Sequence, residues 1–177
     1  MVELHEWHPD LQPADERTAL TQRLDHCRDT VVANVIDLSD AQTSAHLLPA
    51  TEMTVGGIVK HLAWVEDHWF QARLLGRALP EPWASAPLDA APDWPFRSSV
   101  EDSVDDLVAT YRDACERSRR ATAAHESLDA VAHRPSFGVG PVNLRWVLVH
   151  LSTETARHAG HLDLLRDAID AAGVGRA

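Results

Sequence analysis

Apolar residues recur at steps of three and four through four stretches of the chain, the spacing of one helical face. The first stretch, residues 14–38, carries Leu20, Leu24, Cys27, Val31, Val35 and Leu38, with Pro13 just ahead of it. The second, residues 54–76, opens at Thr54, whose hydroxyl can accept a free backbone N–H of the first turn. Gly56 and Gly57 weaken that start by up to ~1 kcal/mol each relative to alanine, which argues for close packing or an irregular first turn. The third, residues 99–125, has Val104, Leu107, Val108, Tyr111 and Cys115 as its stripe. Glu101, Asp102, Asp105 and Asp106 crowd its first turns, where the helix dipole favours negative charge. The fourth, residues 143–172, is expected to be capped by Asn143 and ended by Gly173.

Residues 79–97 break this pattern. Pro80, Pro82, Pro87, Pro92 and Pro95 exclude regular helix there, while Trp83, Trp94 and Phe96 are too apolar for a free linker. The reading is an ordered crossover strapped over the bundle. Residues 135–142, with Gly138, Gly140 and Pro141, form a shorter loop. No internal repeat and no convincing strand alternation is present. The predicted architecture is all-α: one domain over residues 1–177, a four-helix bundle with a long crossover between helices two and three.

The fourth helix places chemistry on the face it should bury. Its seam reads Val147, Leu151, Glu154, His158, His161, Leu165, apolar at both ends and metal-competent at the centre. Glu154 and His158 lie one turn apart on one face. A carboxylate and imidazoles in a helical core are costly unless satisfied, and a divalent cation satisfies them, because both are common metal ligands. His150, Glu154, His158 and His161 offer several alternative pairs. The second helix adds a seam of Ile58, His61, Val65, His68, Ala72 and Leu75. Its two histidines are a heptad apart, ~10.5 Å along the axis, so only one can join a single ion. Taken alone, either is an ordinary core histidine; facing Glu154 and His158, a metal ligand is the better reading. No HExxH pattern occurs, so a zinc-protease arrangement is not indicated.

Composition narrows the partners. A formal charge of −11 argues against non-specific nucleic-acid binding and against docking on anionic lipid. Lys60 is the only lysine, the other fifteen basic residues being arginine, a bias with no functional reading. Cys27 and Cys115 stand far apart inside helical patterns, as buried small hydrophobes rather than a disulfide or metal pair. No apolar run approaches the ~20 residues of a membrane span, and the N-terminus lacks the features of a signal peptide. A soluble cytoplasmic protein is expected. His5, His8, His26, His46, His125 and His133 fall in loops or on polar faces and are expected at the surface.

Two segments carry a resemblance. TVGGIVKHLAWVEDHWF (residues 54–70) and LRWVLVHLSTETARHAGHLDLLRD (residues 144–167) resemble the DinB-like superfamily, and more narrowly its actinobacterial branch related to the N-terminal domain of mycothiol-dependent maleylpyruvate isomerase. The resemblance extends over nearly the whole chain, Asp93-Trp94 and the arginine-serine turn before helix three included. It implies a four-helix bundle with a long crossover, a homodimer, and one divalent metal. The family's first metal histidine precedes a leucine on helix two, as His61-Leu62 does; its paired ligands stand four apart on the last helix, as Glu154 and His158 do. The implied ligands are therefore His61, Glu154 and His158. The chain ends soon after helix four, so the further domain of the isomerase is not expected, nor is activity on maleylpyruvate.

Three protein ligands leave a position for water or substrate. Zinc is the expected ion, although nickel, iron and manganese accept such ligands. The resemblance implies a mycothiol-type thiol as co-substrate and an electrophilic small molecule as its partner, hence a thiol S-transferase. Two alternatives stand beside it: a hydrolase using bound water, and a non-catalytic bundle tied together by its metal. Trp69, Arg157 and His161 are the candidates for contact with substrate. Their plainer assignments are core or interface for Trp69 and its neighbour Trp64, and a surface ion pair with Asp163 or a carboxylate of helix two for Arg157.

Overall fold

The computed structural model describes residues 15–135 and 140–175; His5, His8, Pro13 and Gly138, named above, lie outside them. The described residues are helical, with a single isolated β-bridge, Val131 to Asn143, closing the loop before the last helix. The helices are α1 (Glu16–Ala33), α2 (Asp40–Thr43), α3 (Val55–Asp67), α4 (Trp94–Ser98), α5 (Val104–Ala123) and α6 (Leu144–Ala172). The four long ones form the predicted bundle. α3 packs along α5 and against α6, and α1 packs along α6. No helix among the described residues is long and apolar enough to cross a membrane.

The caps form as the local chemistry dictates. Thr54 Oγ1 accepts from Gly57 N at 3.0 Å, and Asn143 Oδ1 accepts from Trp146 N at 2.9 Å. Gly173 ends α6 at φ 66°. α1 is shorter than its apolar stripe: it starts after Asp15, whose carboxylate accepts from Thr18 N, and stops at Ala33. Val35 and Leu38 stay buried beyond it, carried by a turn that leads into α2, an element not predicted.

α5 also starts later than expected. Ser103 caps it, so only Asp105 and Asp106 of the four acidic residues sit in its first turn. Asp102 lies outside the helix and accepts from Lys60 Nζ at 2.5 Å. The crossover is ordered, but it is not helix-free: α4 forms within it, because Pro95 falls in the helix's first turn, where a missing N–H costs nothing.

The second predicted helix is two helices end to end. α3 runs into a π-helical segment over His68–Leu74. Bonding to the fifth residue takes in an extra residue per turn, so steps of three and four from His61 lose register. Phe70, Gln71 and Leu74 are buried past that point; of the seam residues, Ala72 stays buried while Leu75 is only half-buried. Gly56 and Gly57 answer to close packing: a Cβ on Gly56 would meet Leu107 Cδ1 at 3.1 Å, and one on Gly57 would meet Phe96 Cδ1 at 3.0 Å.

α3 is the most enclosed element, and it carries charge into the interior. Glu66 is 1% exposed and Arg28 4%. Arg28 donates to both Glu66 oxygens at 2.8 and 2.7 Å, and to Asp25 as well. Burial alone would lower the guanidinium's pKa; the Glu66 charge outweighs it and holds the net shift upward. The adjacent Asp67 accepts two bonds from Arg117, each 2.8 Å, and one from Trp83 Nε1 at 2.9 Å. Cys27 and Cys115 are free and buried, and burial pushes the Cys115 thiol up, so both behave as core residues.

Removing one partner of a buried ion pair strands the other charge. Arg28→Ala is expected to lose roughly 3–5 kcal/mol of stability, read from the midpoint and slope of urea unfolding. A loss under about 1 kcal/mol, the range of exposed pairs, would contradict this account of the core.

Candidate metal centre

Where α3 meets α6, three polar side chains converge. His61 Nε2 lies 3.5 Å from Glu154 Oε1, and His158 Nε2 lies 3.3 Å from the same oxygen. One donor atom from each of the three lies within 4.8 Å of the others. The imidazole rings of His61 and His158 meet edge to face, their centroids 5.0 Å apart. α6 sets the Glu154–His158 spacing by its own pitch. α3 brings His61 opposite because the packing of Ile58, Leu62 and Val65 fixes its rotation.

The two contacts to Glu154 Oε1 can be set against two chemistries. A charge-assisted N–H···O bond prefers about 2.7–2.9 Å, shorter than either contact. Two donor atoms sharing a tetrahedral ion at about 2.1 Å each stand roughly 3.4 Å apart, close to both. The site is sheltered but reachable: the His61, Glu154 and His158 side chains are 17, 27 and 10% exposed.

Protonation states agree with a ligand set. The close approach of the His61 ring nitrogen is the main cause holding the Glu154 carboxyl down at about 2, burial opposing it and the neighbouring imidazoles reinforcing it. Burial, with the His61 charge adding to it, lowers the His158 pKa to about 4. At neutral pH the carboxylate is ionised and His158 is neutral, the forms that bind cations.

The other candidates take different places. His68 is not part of the triad, and its Nε2 accepts from Arg73 Nε at 3.1 Å; burial first, then the Arg73 charge, lowers it to about 4. His150 stacks on Trp146, 4.8 Å between centroids at 15°, and meets the edge of Trp69; burial lowers its pKa too. His161 is half-buried, its Nδ1 3.4 Å from His158 Nδ1, so it adjoins the triad from behind His158. Trp69 packs against Trp146 at 5.0 Å. Trp64 is half-buried beside His61, 5.9 Å between ring centroids. Arg157 is exposed and forms no ion pair among the described residues, while Asp163, its expected partner, accepts instead from Asn34 at 3.0 Å. His46 and His133 are exposed, but His26 and His125 are half-buried, the latter with Nδ1 2.8 Å from the Ala121 carbonyl.

One neighbour escaped prediction. Phe96, from α4, stacks on His61 with centroids 4.9 Å apart and planes at 24°. The Gly-Gly pair opposite it was the available signal. Two cavities, about 500 and 290 Å³, lie between α1 and α5 and include none of the triad. Among the described residues, the triad is the group of three close metal-competent donors, and neither lining contains one.

Comparison with known proteins assigns the chain. The model of the mycothiol-S-transferase family matches residues 19–171. The chain belongs to the mycothiol-S-transferase family. No curated protein matches it. The matched span holds every helix from within α1 to near the end of α6, and with them all three residues of the triad. Membership of this family implies a small thiol-type partner.

Acid should weaken the metal-free protein in two steps. The folded pKa of His158 is about 4 against 6.5, so the unfolded chain binds that proton first and stability falls as pH drops through this window. Glu154, at about 2 against 4.5, extends the fall below it. Thermal midpoints in chelator are expected to decline between these limits, and His158→Gln to flatten the upper part. A wild-type midpoint unchanged from about pH 7 to about pH 4 would refute the assigned states.

Proposed function

We propose that this chain is a metal-dependent S-transferase that uses a mycothiol-type thiol against an electrophilic small molecule. The observation that supports it is the convergence of His61, Glu154 and His158, one donor each within 4.8 Å of the others, in a chain of the mycothiol-S-transferase family. Zinc fits two imidazoles and one carboxylate with a further position open. When bound, the ion supplies a Lewis acid that favours the thiolate form of a thiol, which is the nucleophile in S-transfer.

The chain's own residues do the rest. His61 and His158 present ring nitrogens, and Glu154 supplies the negative charge that offsets part of a divalent cation's. His161, behind His158, orients that ring and directs its Nε2 toward the shared oxygen of Glu154. Trp64 and Phe96 flank His61 and keep bulk water from that side. Trp69 and Arg157 are the remaining candidates for contact with the two substrates. The family match favours thiol transfer over hydrolysis by bound water. Assembly as a homodimer in the cytoplasm accompanies the proposal.

Metal content and thiol conjugation test it together. Wild type is expected to carry about one divalent ion per chain and to consume a mycothiol-type thiol with an electrophile. His61→Ala is expected to lose most of both, given that loss of one of three ligands removes far more than the 10–100-fold cost of an outer-shell change. Equal metal stoichiometry in the variant would remove the triad. Full metal loading with no turnover of thiol, and a large fall in thermal midpoint on chelation, would leave a structural metal instead.

A further inference from the structure

We propose that the proline-rich crossover is a working part of the metal centre, with Phe96 as the positioning residue that fixes the His61 imidazole for coordination. This rests on the metal reading above. The two ligating histidines are held by different devices. His158 has His161 at its Nδ1. A ligating histidine is ordinarily oriented by a carboxylate or carbonyl that takes its second N–H; among the described residues no such group bonds His61 Nδ1. What fixes its ring is a face: Phe96 lies parallel to it at 4.9 Å and 24°. With that ring in place, rotation of the imidazole about its side-chain bonds meets carbon, and Nε2 stays turned to Glu154.

Phe96 is itself held firmly, by contacts that run back to α3. Lys60 Nζ sits over the Trp94 ring, 4.7 Å from its centroid, while bonding Asp102 on the far side of α4. Trp83 meets Trp94 edge to face and donates to the buried Asp67, which Arg117 clamps. The approach of α4 to α3 depends on Gly57. A Cβ there would stand 3.0 Å from Phe96 Cδ1 and 3.3 Å from Phe96 Cα. The second of these is backbone and cannot swing aside. Lys60, His61 and Asp67 thus leave one helix, and the crossover ties them into one arrangement.

Cobalt(II) alone is the probe, followed by its ligand-field absorption, with the thermal midpoint of the metal-free protein measured in parallel. Phe96→Ala is expected to weaken cobalt binding on the order of tenfold or more and to alter the spectrum. Phe96→Tyr, which keeps the ring, is expected to restore both. Gly57→Ala leaves Phe96 intact but displaces it, so it is expected to weaken cobalt binding even though alanine is the better helix former; it decides the matter if Phe96→Ala does not fold. Phe96→Ala or a folded Gly57→Ala with wild-type affinity and spectrum, while His61→Ala binds no cobalt, would overturn the positioning role and leave the triad standing. Wild type that takes up no cobalt would overturn both.

Discussion

Helix α3 is enclosed by its neighbours, yet it carries Lys60, His61, Glu66 and Asp67 into or against the interior. A charged or polar group taken from water costs several kcal/mol unless a partner meets it. Each of the four is met from a different part of the chain: Lys60 by Asp102, Glu66 by Arg28 of α1, Asp67 by Arg117 of α5 and Trp83 of the crossover, His61 by Glu154 of α6. Matching these groups, alongside apolar packing, constrains where the other elements lie. Three of the matches are complete within the protein, as ion pairs of 2.5–2.8 Å. The fourth is longer and involves a second imidazole.

That difference connects the scaffold to chemistry. Ion pairs such as Arg28–Glu66 close on themselves and leave nothing to bind. His61, Glu154 and His158 leave one donor atom each within 4.8 Å of the others, on side chains that solvent still reaches. The same bundle therefore uses α3 twice. One face anchors α1 and α5 through sealed pairs, and the other holds an open donor set against α6. Membership of the mycothiol-S-transferase family implies a small thiol as partner, and in the proposed function this set receives it.

The bundle was legible because its helices follow the elementary period, and because Thr54, Asn143 and Gly173 cap where their chemistry allows. The triad was legible for the same reason: one helical turn fixes Glu154 against His158, and both interrupt an apolar seam. Register past His68 was hidden, since a π-helical segment leaves no mark in a pattern of apolar steps. α4 was hidden because a proline forbids helix in the interior but suits the first turn. The sealed pairs left a trace, Glu66-Asp67 inside an apolar run and Arg28 between Cys27 and Val31, but pairing across helices cannot be read from one strand of text. Phe96 belongs to this class, as a contact made by tertiary approach alone, with Gly57 its only local sign.

The most direct test is anomalous diffraction from a crystal of protein purified without added metal, collected on either side of the absorption edges of zinc, nickel, iron and manganese. The account predicts one anomalous peak per chain, within coordination distance of the His61 and His158 ring nitrogens and a Glu154 carboxylate oxygen. A peak elsewhere in the molecule, or the three side chains bonded only to one another and to water with no peak at any edge, would contradict it.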